Sequence, residues 1–195
     1  MYGDNPLKDS NLTSNTRFVI SGKSIALLLV PVILMVSLIG VTYIQKRPSN
    51  MDIQPTGLDG EILPTKAFEG KIQIVEFMTT WCKICKQVTQ NVDYVLRTNY
   101  SADVVFWSVS IDVTHDLPEV MKNYLKDNNI ADHVQDDHWQ FARDLKNEYV
   151  YFGVSGVPHT FLLDREMRIV RDKIGLLVVE EILTWIELAR QADAR

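Results

Sequence analysis

Residues 76–87 read EFMTTWCKICKQ and hold both cysteines of a 195-residue chain, Cys82 and Cys85, two residues apart and directly behind Trp81. What flanks them decides the fold. Upstream, KIQIVEF (71–77) is apolar on both faces, the pattern of a central strand covered on both sides. Downstream, Ile84, Val88, Val92, Val95 and Leu96 recur at about the helical period. The pair therefore sits at a strand-to-helix junction, with Cys82 at the helix N-terminus and Cys85 in its first turn. Such a terminus offers unpaired N–H groups and a partial positive charge, and Lys83 adds a full one, so a thiol held there is favoured as thiolate. Cys82 is the candidate attacking residue. Cys85, one turn in, is placed to attack the mixed disulfide that results.

Working outward, DVVFWSVSID (103–112) reads as a second buried strand. HDLPEVMKNYLKDNN (115–129) reads as a helix capped by Asp116, with Pro118 in its first turn and Glu119 three residues after the cap. DDHWQFARDLKNEYVY (136–151) reads as a further helix, capped at Asp136 or Asp137. HTFLLD (159–164) and RIVRDKIG (168–175) form a hairpin turning at Arg165 and Glu166, and VVEEILTWIELARQ (178–191) is an amphipathic closing helix. This order predicts an α/β fold: a mixed central sheet with helices on both faces.

Further upstream, SIALLLVPVILMVSLIGVTYI (24–44) carries no charge and is long enough to cross a bilayer. No small-x-small cleavage site follows it, so the expectation is an uncleaved transmembrane anchor over 24–45, with Pro31 tolerated inside it. Residues 1–23 are then a short tail, the Pro- and Gly-rich 46–57 a linker, and 58–195 the folded domain. Lys8, Arg17 and Lys23 before the span are matched by Lys46, Arg47 and Lys66 after it, so the charges do not orient it. Residues 1–57 carry five basic and three acidic side chains; with a net charge of −5 overall, the remainder carries −7. That surface argues against nucleic acid as a partner.

The segment Trp81-Cys82-Lys83-Ile84-Cys85 after a buried strand, with Gly156-Val157-Pro158 before a later one, resembles the thioredoxin superfamily. The anchor, the lead-in GLDGEILPTKAFEGK (57–71) and the strand ending SVSID (108–112) are most similar to membrane-tethered thiol-disulfide oxidoreductases of the TlpA and ResA type, over about residues 58–192. The resemblance implies a thioredoxin fold and a Cys82–Cys85 redox couple without cofactor or resident metal. Its partners would be thiols and disulfides of other proteins and a redox partner protein, met outside the cytoplasm. Pro158 matches the family's cis-proline, which would bring the Val157 backbone beside Cys82 to pair with an extended substrate segment. Trp81 would cover the couple and offer substrate an apolar surface. His159 stands where the family usually has Thr, and reads as a polar neighbour of the substrate site.

Glu76 stands out without any family. A carboxylate inside IQIVEF is costly unless paired or protonated, or unless it faces solvent at the strand end. The resemblance places it where thioredoxins carry a buried acid beneath the couple, as proton acceptor for Cys85, tuned upward by burial. The alternative is a copper-handling protein of the Sco type, binding Cu(I) through the two cysteines and His159. That family separates its cysteines by three residues, whereas here two intervene. A zinc site from Cys82, Cys85, His133 and His138 has an unsuitable spacing, and a peroxiredoxin-like reading of Thr79 and Cys82 lacks its proline, replaced by Val75.

Overall fold

The computed structural model describes residues 48–99, 101–130 and 138–192. The segment expected to form the anchor, and Asp136 and Asp137, lie outside the described residues. Among the described residues no helix is long and apolar enough to cross a membrane.

Six strands form one sheet: β1 (Thr56–Gly57), β2 (Ile72–Met78), β3 (Val104–Ser110), β4 (Trp139–Arg143), β5 (His159–Leu163) and β6 (Ile169–Ile174). Their spatial order is β1-β4-β3-β2-β5-β6. β2, β3 and β4 run parallel, while β1, β5 and β6 are antiparallel to their neighbours, so the sheet is mixed as expected. Both central strands are buried along their whole length, which is why they read as continuous apolar runs.

Among the described residues three α-helices pack on it: α1 (Lys83–Thr98), α2 (Pro118–Asp127) and α3 (Val179–Ala192). The buried side chains of all three join one cluster, with Cys85, Val88, Val92, Met121, Leu125, Ile182 and Trp185 covering Ile72, Ile74 and Met78 of β2 and Val104 and Phe106 of β3. The alternate residues Val75, Phe77, Val105, Trp107 and Val109 face the other way. Among the described residues no α-helix covers that second face, so the expectation of helices on both faces is met there only by 3-10 turns. Met51 and Ile53 pack on it with Phe152, which ends the 3-10 helix Glu148–Phe152, and Phe68, which ends the 3-10 helix Thr65–Phe68.

Three further expectations are corrected here. Residues 136–151 do not form a helix: β4 runs through Trp139–Arg143 and a 3-10 turn follows. The charged residues after Arg143 imitate a helical repeat, but Trp139 and Phe141 alternate at the strand period and both face the first cluster. Asp116 does not cap α2, whose N-cap is Leu117, with Pro118 opening the helix. The folded body also begins before Leu58, because Met51 and Ile53 are buried to 0% and 1% exposure inside what reads as linker. The Met51 amide donates to the Met167 carbonyl at 3.0 Å and the Ile169 amide to that of Ser49 at 2.7 Å, stitching this segment to the β5–β6 turn.

Candidate functional site

β2 delivers the chain directly to the cysteines. Cys82 is the N-cap of α1, and its Sγ accepts from the Cys85 amide at 3.1 Å. A sulfur in the N-cap position receives one of the helix's unpaired N–H groups, an arrangement that favours the thiolate once the pair is reduced. Cys82 and Cys85 are joined in a disulfide. The two sulfurs differ in access: Cys82 is half-buried, whereas Cys85 is completely buried among Val88, Met78 and their neighbours.

Opposite Cys82 runs the segment before β5. The Val157–Pro158 peptide bond is cis, and Cys82 Sγ lies 3.9 Å from the Val157 carbonyl oxygen. Between these two segments opens a groove of about 410 Å³ lined by Trp81, Ile111, Asp112, Tyr149, Val154 and Val157 among others. Trp81 is 66% exposed, so it is not a core residue; its indole Nε1 donates to Asp112 Oδ2 at 2.8 Å. That bond, first, and the bonds from His115 and Thr114 hold the Asp112 carboxyl far below the usual carboxylate range. Asp116, fully buried, accepts from the Thr80 amide at 3.0 Å and from the hydroxyls of Thr80 and Ser110. The 112–116 loop thus grips both residues that precede Cys82. Sequence reasoning missed this role of Asp112 and took Asp116 for a cap; the loop's contacts cross from β3 to the β2 exit, and no local pattern announces them.

Glu76 does not face solvent. It is 3% exposed and shares its side of the sheet with Ile74 and Met78, the side α1 covers. Burial, partly offset by the Ser108 hydroxyl, pushes its carboxyl up to about 8. Its register neighbours on that face are Ser108 on β3 and Thr160 on β5, so a polar row crosses an otherwise apolar surface. Ser108 donates to Glu76 Oε2 at 3.4 Å, and Trp139 Nε1 donates to Ser108 Oγ at 3.1 Å. Ser108 was legible only as a polar interruption in VVFWSVS.

His159 is a correction. It is completely buried, so it has no surface to offer a substrate. Its ring stacks on Phe161 at 4.3 Å, on the sheet face away from α1, and Nε2 lies 2.8 Å from Asp172 Oδ2. The side chain expected to join the cysteines around copper is engaged on the opposite face. His138, the described histidine of the zinc alternative, sits at the start of β4 with Nδ1 3.4 Å from the Val104 carbonyl, at the end of β3 remote from the couple. His133 lies outside the described residues. Among the described residues, no three His, Cys, Asp or Glu side chains are gathered as a metal would require.

A half-exposed sulfur at a helix N-terminus, disulfide-bonded to a buried one and bordered by an X-Pro turn, defines a dithiol–disulfide redox site on a mixed sheet. A family model described as thioredoxin-like matches residues 70–169, and the chain belongs to that family. It is 24% identical over 185 residues to the thiol:disulfide interchange protein HelX of Rhodobacter capsulatus, covering 86% of this chain and 98% of that protein. To the sporulation thiol-disulfide oxidoreductase A of Bacillus subtilis it is 24% identical over 120 residues, 61% of this chain and 68% of the relative. Among solved structures, a thioredoxin-family thiol:disulfide interchange protein from Chlorobium tepidum superposes with a TM-score of 0.60 at 19% identity, over 74% of this chain and 97% of that one. The chain is a thioredoxin-like thiol-disulfide oxidoreductase with a Cys82–Cys85 couple.

Proposed function

We propose that the chain is a membrane-tethered oxidoreductase exchanging disulfides with extracytoplasmic proteins, with residues 24–45 as its anchor and Cys82 as its nucleophile. The supporting observation is the asymmetry of the pair: Cys82 is accessible and receives the Cys85 amide at 3.1 Å, whereas Cys85 is sealed beneath α1 on the face that carries Glu76.

In the reductive direction, the Cys82 thiolate attacks one sulfur of a substrate disulfide, and the other sulfur leaves as thiolate. An extended substrate segment lies along Val157, with its apolar side chains against Trp81. Cys85 then gives its proton to the Glu76 carboxylate and attacks Cys82 Sγ. The Cys82–Cys85 bond forms as the bond from Cys82 to substrate breaks, and the substrate leaves as a dithiol. The oxidative direction is the reverse sequence. A carboxyl that titrates near 8 is ionised often enough at neutral pH to take this proton and basic enough to hold it.

The reduction potential of the couple tests the reading and fixes the direction. A low potential makes the protein a reductant of its partners and a high one an oxidant. Failure of the couple to equilibrate with glutathione or dithiothreitol buffers would overturn the assignment.

A further inference from the structure

Glu76 has neighbours on every side, and one of them does more than fill space. We propose that Ser108 is a positioning residue that sets the basicity of Glu76, its hydroxyl oriented for that purpose by the indole of Trp139. The functional weight of this rests on the reading of Glu76 as proton acceptor for Cys85.

The argument is one of donor polarity. An indole Nε1–H can donate and cannot accept. The 3.1 Å contact from Trp139 therefore occupies the Ser108 oxygen as acceptor and leaves the hydroxyl hydrogen to be given elsewhere. Glu76 Oε2, 3.4 Å away, receives it. All three side chains are buried, at 0%, 1% and 3% exposure for Trp139, Ser108 and Glu76, so water does not compete for these bonds. Glu76 pairs with Ser108 across β2 and β3; on β4 the register partner of Ser108 is Phe141, and Trp139, two residues before it on the same face, reaches Ser108 diagonally. The three form a one-way chain of donors from β4 through β3 to the carboxylate on the more central β2. A donor directed at a carboxylate stabilises its charged form.

Other groups on this face act differently. The Cys85 sulfur, bonded to Cys82, belongs to α1 and does not titrate in the oxidised chain. Tyr124 of α2 bonds Thr89, and its phenol is pushed up to about 12 by burial and by the charges of Glu76 and Asp116. β5 contributes Thr160, which does not titrate, and α3 contributes apolar Ile182, Trp185 and Ile186. On β2, β3 and β4, Ser108 is the hydrogen-bond donor that Glu76 has among the described residues.

The test is the titration of the Glu76 carboxyl in the oxidised full chain, followed by its infrared carbonyl band between pH 5 and 10, with Glu76→Gln identifying the band. Ser108→Ala is expected to move the midpoint upward by about half a unit, Trp139→Phe to move it in the same direction by less, and Ser108→Thr to restore it. A midpoint unchanged in both Ser108→Ala and Trp139→Phe overturns the proposal. The resolution rate of a mixed disulfide, measured in the same variants, separates this from the reading beneath it. If the carboxyl midpoint moves and the pH profile of resolution does not follow, Ser108 sets Glu76 as proposed and Glu76 is not the acceptor.

Discussion

Cys82 Sγ lies 3.9 Å from the carbonyl oxygen of Val157, across a turn 75 residues away in sequence. This contact joins the two halves of the redox site. It puts the accessible sulfur beside the main chain that leads into β5, and leaves Cys85 on the far side, inside the core.

That geometry predicts which cysteine traps partners. Cys85→Ser is expected to accumulate mixed disulfides through Cys82, seen as reducible high-mass bands after acid quenching. Cys82→Ser is expected to accumulate none, because the remaining thiol is sealed. Equal trapping by both variants would reverse the assignment of nucleophile.

Glu76→Gln is expected to slow resolution of the mixed disulfide by about a hundredfold at neutral pH. It should also abolish the rise of that rate as pH approaches 8, where the carboxyl ionises. Stopped-flow mixing of a trapped intermediate checks both; a wild-type pH profile in the variant counts against Glu76.

The same carboxyl governs stability. Its folded value, about 8, lies above the ordinary 4.5, so the native state holds a proton that the unfolded chain releases. Stability should then fall as pH rises from 4.5 to 8, by at most about 1.4 kcal/mol per unit, and level off above 8. Urea denaturation from pH 5 to 9 should show this slope in the wild type and lose it in Glu76→Gln.

Trp81→Ala and Asp112→Ala are expected to raise KM for protein disulfides about fivefold with kcat within about twofold, the first by removing the groove wall and the second by releasing it. A change confined to kcat would mean that Trp81 acts on the chemistry rather than on binding.

His159→Ala should cost about 2–4 kcal/mol of folding stability, because it empties a buried site stacked on Phe161 and removes the bond to Asp172. Cu(I) affinity of the reduced chain should stay unchanged. A large loss of copper binding in this variant would revive the metal reading.

Topology has its own reporter. Asn99 opens an Asn-Tyr-Ser glycan acceptor and is exposed at the end of α1. In a host that glycosylates exported chains it should be modified, and an impermeant thiol reagent should label reduced Cys82 on intact cells. Labelling only after the membrane is opened would put the domain in the cytoplasm.

The redox junction was readable because each of its signals is local: a run of apolar residues, a cysteine pair, a helical repeat. Glu76 was readable for the opposite reason, as a charge where none belongs. β4 was misread because five residues are too few to outvote the charged, helix-like stretch that follows; what makes Trp139–Arg143 a strand is pairing with β3. His159 was misplaced because adjacency to Pro158 says nothing about side: strand alternation turns its ring away from the couple, toward Phe161. The grip of Asp112 and Asp116 on Trp81 and Thr80 spans more than thirty residues and exists only once the sheet has formed.

The stitching of Met51 and Ser49 to the β5–β6 turn has a geometrical consequence. β2 runs toward Cys82, and β5 pairs with it antiparallel, His159 opposite Phe77 and Leu163 opposite Gln73. The turn that follows Leu163 therefore lies at the other pole of the sheet, about 20 Å from the cysteines along a seven-residue strand. The polypeptide enters the folded body at that pole. A pull applied at Ser49 and Met51 is borne by the hairpin and the β2–β5 ladder, not by the sulfur pair at the opposite end of the sheet.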